Sequence, residues 1–243
     1  MELIYRQTVP ITTSLADCHR RLRPSSLLSI MQEAAGMHCA GLEAGWDMLL
    51  ERGLFWAVIR QRVEIDRLPV IGEKMVVETW PGEATRAAYP RYTVGKTENG
   101  EILFRAAALW LIMDARSRAM ILPGKSGILV PGLEREGQLP VPASLPPAEL
   151  ERCLRRQVRY SELDANGHMS NIKYLDWLED LLPAAFHREH PLRGFQISYL
   201  SEVREGQEVE LRWNLFEDGS LRLEAGASVD GKSHRVFALR AQY

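Results

Sequence analysis

Cysteine is scarce in this chain. Its 243 residues hold three, Cys18, Cys39 and Cys153, an odd number with no C-x-x-C pair. That pattern argues against a disulfide framework or a cysteine-built zinc site and fits a reducing compartment. Long apolar runs are also missing. The longest, from Ala106 to Met113, falls far short of the ~20 residues that cross a bilayer, and Glu2 and Arg6 bracket a very short apolar start, unlike a signal peptide. The expectation is a cytoplasmic protein with no membrane insertion. Nor is there an excess of one charge: 30 Lys and Arg stand against 32 Asp and Glu, which argues against a general nucleic-acid binder. The sequence has no G-x-x-x-x-G-K-[ST] or G-x-G-x-x-G phosphate cradle, so no nucleotide cofactor is expected, and no G-x-S-x-G elbow for a serine nucleophile. His187-x-x-His190 has no complementary Cys or carboxylate spacing and runs into Pro191, so no metal is expected either.

What remains is a globular profile, 46% hydrophobic and 26% charged, long enough for one large domain or two small ones. Six of the 13 prolines fall between Pro123 and Pro147, interspersed with Gly124, Gly127, Gly132 and Gly137. The stretch 116–152 therefore reads as a linker between halves 1–115 and 153–243. In the first half, after a short strand, Ser25 or Ser26 is placed to cap a helix whose Leu27, Met31, Ala34 and His38 share a face, running to about Leu50. Strands are expected at Leu54–Ile65, Lys74–Trp80, Arg86–Lys96 and Ile102–Met113. In the second half a strand is expected at Arg155–Tyr160, and Ser170 is placed to cap a helix that Pro183 stops. Strands follow at Phe195–Leu200, Glu208–Phe216, Leu221–Val229 and Arg235–Gln242. A shift of 134 lays Val63, Ile65, Gly72, Met75 and Val77 on Ile197, Tyr199, Gly206, Val209 and Leu211. The shared element order and glycine imply an internal duplication of one α+β unit.

One strand-to-helix loop is dense in groups that chemistry can use: Asp164, Asn166 and His168, followed by Ser170 and Asn171. A helix N-terminus there would offer backbone N–H groups to an oxyanion; a capped turn is the plainer alternative. The first copy has His19-Arg20-Arg21-Leu22-Arg23-Pro24 before its helix, so the D-x-N-x-H pattern is read as something the unit does not itself require. At the offset of 134, Glu202 takes the place of Leu68. Met31, Met37, Trp46 and Met48 around the first helix could line an apolar channel or belong to ordinary core.

These residues resemble the acyl-acyl carrier protein thioesterases of plants and bacteria. The resemblance runs through Gln32-Glu33-Ala34-Ala35, Phe55-Trp56-Ala57-Val58, Val63 to Pro69 and Trp110 to Asp114, and is most specific from Tyr160 to Tyr174. The resemblance implies a tandem hot-dog fold, each copy an antiparallel sheet around a long helix. The first copy then shapes an acyl pocket, and the second carries catalysis by Asp164, Asn166, His168 and Glu202. Where many plant members have a cysteine after the glutamate, this chain has Val203, so no thiol can be essential there.

On this reading Glu202 is a general base acting on water, since a thiolate leaves without much help from an acid. Asp164, if close to Glu202, would raise one carboxylate pKa. Asn166 would orient the water or the thioester, and His168 would bond the carbonyl oxygen or the carboxylate. Direct attack by Glu202 stays open, as do a non-hydrolytic acyl-thioester binder and a 3-hydroxyacyl dehydratase. The partner implied is an acidic acyl carrier protein, docking on Arg152, Arg155, Arg156 and Arg159 or on Arg20, Arg21 and Arg23. Open sheet edges favour pairing of two copies as a homodimer.

Overall fold

The computed structural model describes residues 2–229 and 232–243 and divides into two compact units, Met1–Pro142 and Ala143–Tyr243. The first contains β1 (Tyr5–Pro10), α1 (Pro24–Gly41), α2 (Trp46–Glu51), β2 (Leu54–Ile65), β3 (Lys74–Pro81), β4 (Tyr89–Thr97), β5 (Ile102–Asp114), β6 (Met120–Ile121) and α3 (Pro123–Ser126). The second contains β7 (Arg152–Gln157), α4 (Lys173–Glu179), α5 (Ala184–Glu189), β8 (Gly194–Tyr199), β9 (Glu208–Leu215), β10 (Ser220–Val229) and β11 (Lys232–Gln242).

The strands of each unit pair antiparallel and follow the same order. The order in the first unit is β1-β3-β4-β5-β2, with β6 on β5, and in the second β7-β9-β10-β11-β8. Strand by strand the two orders correspond, as a duplication requires. The glycine shared at the offset of 134 serves the same purpose in both: Gly72 N–H donates to Ile11 just past β1, and Gly206 N–H to Val158 just past β7. Before the helices, however, the offset is 147. It carries β1 onto β7 and the short 3-10 turn Thr13–Leu15 onto Tyr160–Glu162. The difference of 13 residues lies between the helix start and the next strand, where α1 runs for 18 residues and α4 for seven.

In the first unit, α1 lies against β3 and β1 and buries Leu27, Leu28, Met31, Ala34, Ala35 and His38. These positions recur at three- and four-residue spacing and so form one stripe. In the second, Tyr174, Leu175, Trp177 and Leu178 of α4 are buried, and the Tyr174 ring lies 4.1 Å from that of Phe237 on β11, tilted by 51°. Each unit thus has the hot-dog arrangement of a sheet with a helix against one face.

Several boundaries differ from expectation. The first helix starts at Pro24, with Arg23 rather than a serine as its N-cap, because proline's fixed φ suits the first helical position. It does not reach Leu50. The chain leaves the helix after Gly41, Glu43 takes φ 55°, and Trp56 Nε1 holds the Ala44 carbonyl at 2.8 Å before α2 begins. The strand expected at Arg86 starts at Tyr89, since Thr85 and Ala88 close a tight turn. The strand expected at Arg155–Tyr160 lies at Arg152–Gln157. Ser170 does not cap a long helix: its Oγ accepts the Ile172 N–H at 3.4 Å, and α4 starts at Lys173. Within the Pro/Gly-rich stretch, β6 and α3 are short regular pieces, and the boundary between the units falls inside it.

Glu78 on β3 is buried and faces Arg6, Lys96 and Arg135. Burial alone would push its carboxyl up, but the hydrogen bonds from Lys96 and Arg6 outweigh it and hold the pKa at about 2 against an ordinary 4.5. A depressed carboxylate contributes stability that is complete above the unfolded value and is lost as pH falls toward the folded one. Glu78→Gln is therefore expected to lower the urea midpoint at pH 7 and to flatten its decline between pH 4.5 and about 2 relative to wild type. An equally steep decline in both proteins would count against this cluster as an acid-sensitive anchor.

Candidate active site

The polar loop lies between a 3-10 turn and α4, and its shape is set by its own backbone. Asp164 N–H donates to the His168 carbonyl at 2.8 Å, and Gly167 N–H donates to the Asp164 carbonyl at 3.0 Å. Asp164 Oδ1 accepts the Asn166 N–H at 2.8 Å and, at 3.5 Å, the His168 N–H, an aspartate-nucleated turn. Gly167 sits at φ 74°, left-handed backbone that glycine enters at little cost.

One further bond joins this turn to the loop after β8: Met169 N–H donates to the Val203 carbonyl at 2.7 Å. With 169 and 203 held together, their preceding neighbours meet. His168 Nε2 lies 3.1 Å from Glu202 Oε2. The imidazole is buried, whereas the Glu202 side chain is about half exposed. This places a nearly dry ring against a carboxylate that water can reach. Val203 itself is fully buried in the core.

The surroundings hold the loop from beneath. Glu162 accepts Trp177 Nε1 at 2.6 Å and the Arg159 N–H at 2.9 Å, while its carbonyl takes the Ser170 N–H at 2.8 Å. Tyr199 Oη donates to the Asn171 carbonyl at 3.2 Å. Burial, with a smaller push from the Asp164 charge, drives the Tyr174 phenol well above its ordinary range, so it stays protonated.

The loop corrects one expectation and adds to another. The helix dipole does not begin at His168, because α4 starts five residues later and is only seven residues long. The first copy does carry an aspartate in the matching turn, Asp17, whose Oδ1 accepts the His19 N–H at 2.8 Å. It was hidden because the offset before the helix is 147, not 134.

The other candidate residues are more scattered. Met31 faces the core of the first unit, Met37 and Trp46 are exposed, and Met48 packs half-buried against the cluster of Cys39, Leu49 and Tyr89. Met31 and Met37 are six residues apart on α1, about 120° from sharing a face. Strand alternation likewise divides the arginines of β7. Arg155 pairs with Glu208 and Glu210. On the opposite face, Arg152 lies over Trp213 at 4.5 Å, and Arg156 lies over Trp177 and bonds Asp180 at 2.8 Å. Arg159 is exposed, with no carboxylate partner for its guanidinium among the described residues. Sequence reasoning passed over Glu162, Trp177 and Tyr199, whose contacts cross 15 to 28 residues and leave no local pattern.

Comparison with known proteins gives a consistent result. Residues 2–122 match the model of the acyl-ACP thioesterase N-terminal domain, and 148–234 that of the C-terminal domain. Similar curated proteins include an acyl-[acyl-carrier-protein] hydrolase of Cuphea viscosissima, 26% identical over 85% of this chain and 53% of that protein. Another is the dodecanoyl-[acyl-carrier-protein] hydrolase of Cinnamomum camphora, 27% identical over 82% of this chain and 56% of that protein. The chain thus spans about half the length of these relatives. Among solved structures, an acyl-ACP thioesterase from Bacteroides thetaiotaomicron superposes with a TM-score of 0.85 at 22% identity, covering 98% of this chain and 97% of that one. The 12:0-ACP thioesterase of Umbellularia californica gives 0.82 at 21%, covering 100% and 97%. The likeness to these two structures is one of fold.

Because Trp177 is 1% exposed, removing its indole acceptor leaves a buried donor unpaired. Glu162→Ala is expected to cost about 1–3 kcal/mol in chemical denaturation. A loss below about 0.5 kcal/mol would show that water replaces the carboxylate without penalty.

Proposed function

Since the chain belongs to the acyl-ACP thioesterase family, we propose that it hydrolyses the thioester of a fatty acyl chain borne on acyl carrier protein, releasing free fatty acid. The observation that carries this reading is the 3.1 Å approach of His168 Nε2 to Glu202 Oε2. It joins a buried imidazole to a water-accessible carboxylate in the unit where the sequence departs from its own duplicate.

The chemistry follows from that pair. Glu202 removes a proton from a water as its oxygen attacks the carbonyl carbon. The Nε2–H of His168 holds the carboxylate in place and stabilises its developing contact with the water. Asn166, exposed at the rim of the turn, directs its amide to the thioester oxygen, where charge gathers in the tetrahedral intermediate. Collapse expels the thiolate of the carrier's arm, a leaving group with a pKa of ~8.5. The proton on Glu202 then passes to solvent, leaving the acid and the thiol. No cysteine takes part: Val203 fills the core, Cys39 is buried, and Cys18 and Cys153 are exposed outside the loop. Three free thiols fit a cytoplasmic setting.

The carrier is proposed to dock on the arginines ahead of the loop. Arg155 and Arg156 already face carboxylates, so Arg159 supplies the uncompensated charge, while Arg152 lies at the far end of β7 over Trp213.

Incubating the purified protein with acyl-ACP and a thiol reagent tests the reading. Free thiol plus free fatty acid is expected; an enoyl product would mean a dehydratase, and retention without turnover a binder. Glu202→Ala and His168→Ala should each lower turnover by at least ~10²-fold with the fold intact. A triple Cys→Ser variant should turn over normally. Arg159→Glu should lower kcat/KM for acyl-ACP at low salt more than for acyl-coenzyme A, and the gap should shrink as salt rises. Equal effects on both substrates would remove this docking site.

A further inference from the structure

The turn that carries Asp164 occurs twice in this chain, almost bond for bond. In the first unit Asp17 N–H donates to the Arg21 carbonyl at 2.8 Å, and Arg20 N–H to the Asp17 carbonyl at 3.1 Å. Asp17 Oδ1 accepts the N–H groups of His19 at 2.8 Å and Arg21 at 2.9 Å. The left-handed position held by Gly167 is held there by Arg20, at φ 67°. The bridge between Leu163 and Met169 has its counterpart between Ala16 and Leu22, and Leu22 N–H donates to the Pro69 carbonyl at 2.8 Å just as Met169 N–H does to Val203.

Within this common frame the side chains diverge. Asn166 stands where the first unit has His19, His168 where it has Arg21, and Glu202 where it has Leu68. Only the aspartate is shared. In the first unit His19, Arg21 and Leu68 stand where the second has Asn166, His168 and Glu202, yet the aspartate makes the same backbone bonds.

Resting on the thioesterase reading, we propose that Asp164 is a positioning residue. Its carboxylate accepts the Asn166 and His168 N–H groups, sets the directions of those two side chains, and exchanges no proton during turnover. Proton transfer is left to Glu202. The two roles make different demands on the side chain. An acceptor needs an oxygen, which an amide supplies; a base needs an ionisable carboxyl, which an amide lacks.

Asp164→Asn is therefore expected to lower kcat/KM by less than about tenfold, the scale of replacing a charge-assisted hydrogen bond by a neutral one. Its pH–rate profile should keep the wild-type shape. Glu202→Gln should lose at least ~10²-fold. Amide hydrogen exchange gives a readout independent of turnover. Asp164→Ala should speed exchange at Asn166 and His168, Asp164→Asn should not, and Asp17→Ala and Asp17→Asn should do the same at His19 and Arg21. A folded Asp164→Asn protein as inactive as Glu202→Gln, or with a shifted pH profile, would overturn the proposal. So would unchanged exchange in Asp164→Ala. Absence of turnover in the wild type would instead sink the thioesterase reading, with the exchange pattern still deciding whether Asp164 holds the turn.

Discussion

A single backbone hydrogen bond, from the Met169 N–H to the Val203 carbonyl, joins the two pieces of chain that make the site. It adds to the Tyr199–Asn171 bond, which ties the segment after the turn to β8 itself. With the Met169–Val203 bond, His168 and Glu202 come within 3.1 Å. The buried Met169 and Val203 side chains anchor the two pieces by removing apolar surface from water.

The same frame explains how a duplicated fold can hold one polar site and one plain one. Backbone bonds of this kind carry no chemistry of their own, so the turn in the first unit keeps its shape while Arg21 and Leu68 fill the positions of His168 and Glu202. The arginine at position 20 is instructive. Left-handed backbone at a non-glycine residue is unfavourable by roughly 1–2 kcal/mol, so the first unit bears a strain that Gly167 spares the second.

How much of this could be read from the sequence depended on the range of the interaction. β2 runs from Leu54 to Ile65 as its alternation implies, because Val63 and Ile65 face the core while Arg62 and Glu64 do not. The break between α1 and α2 could not be read, since it is fixed by Trp56 reaching back 12 residues to the Ala44 carbonyl. Asp17 was overlooked for a different reason: helices of unequal length change the offset between the copies from 134 to 147. Sliding Asp17-x-His19 onto Asp164-x-Asn166, with Leu22 on Met169, would have found it. In the arginine-rich strand the charges were evident, but their partners, Glu208, Glu210 and Asp180, lie on other elements.

The turn has a consequence for how the molecule assembles in time. Its hydrogen bonds span two to four residues, a loop small enough to close in ~10–100 ns. The bond to Val203 closes a segment of more than thirty residues, across α4, α5 and β8. Longer closures cost more chain entropy and are reached later. A nascent chain therefore shapes the aspartate turn before it brings the Glu202 carboxylate to His168, because the first needs only a local closure and the second a closure of more than thirty residues.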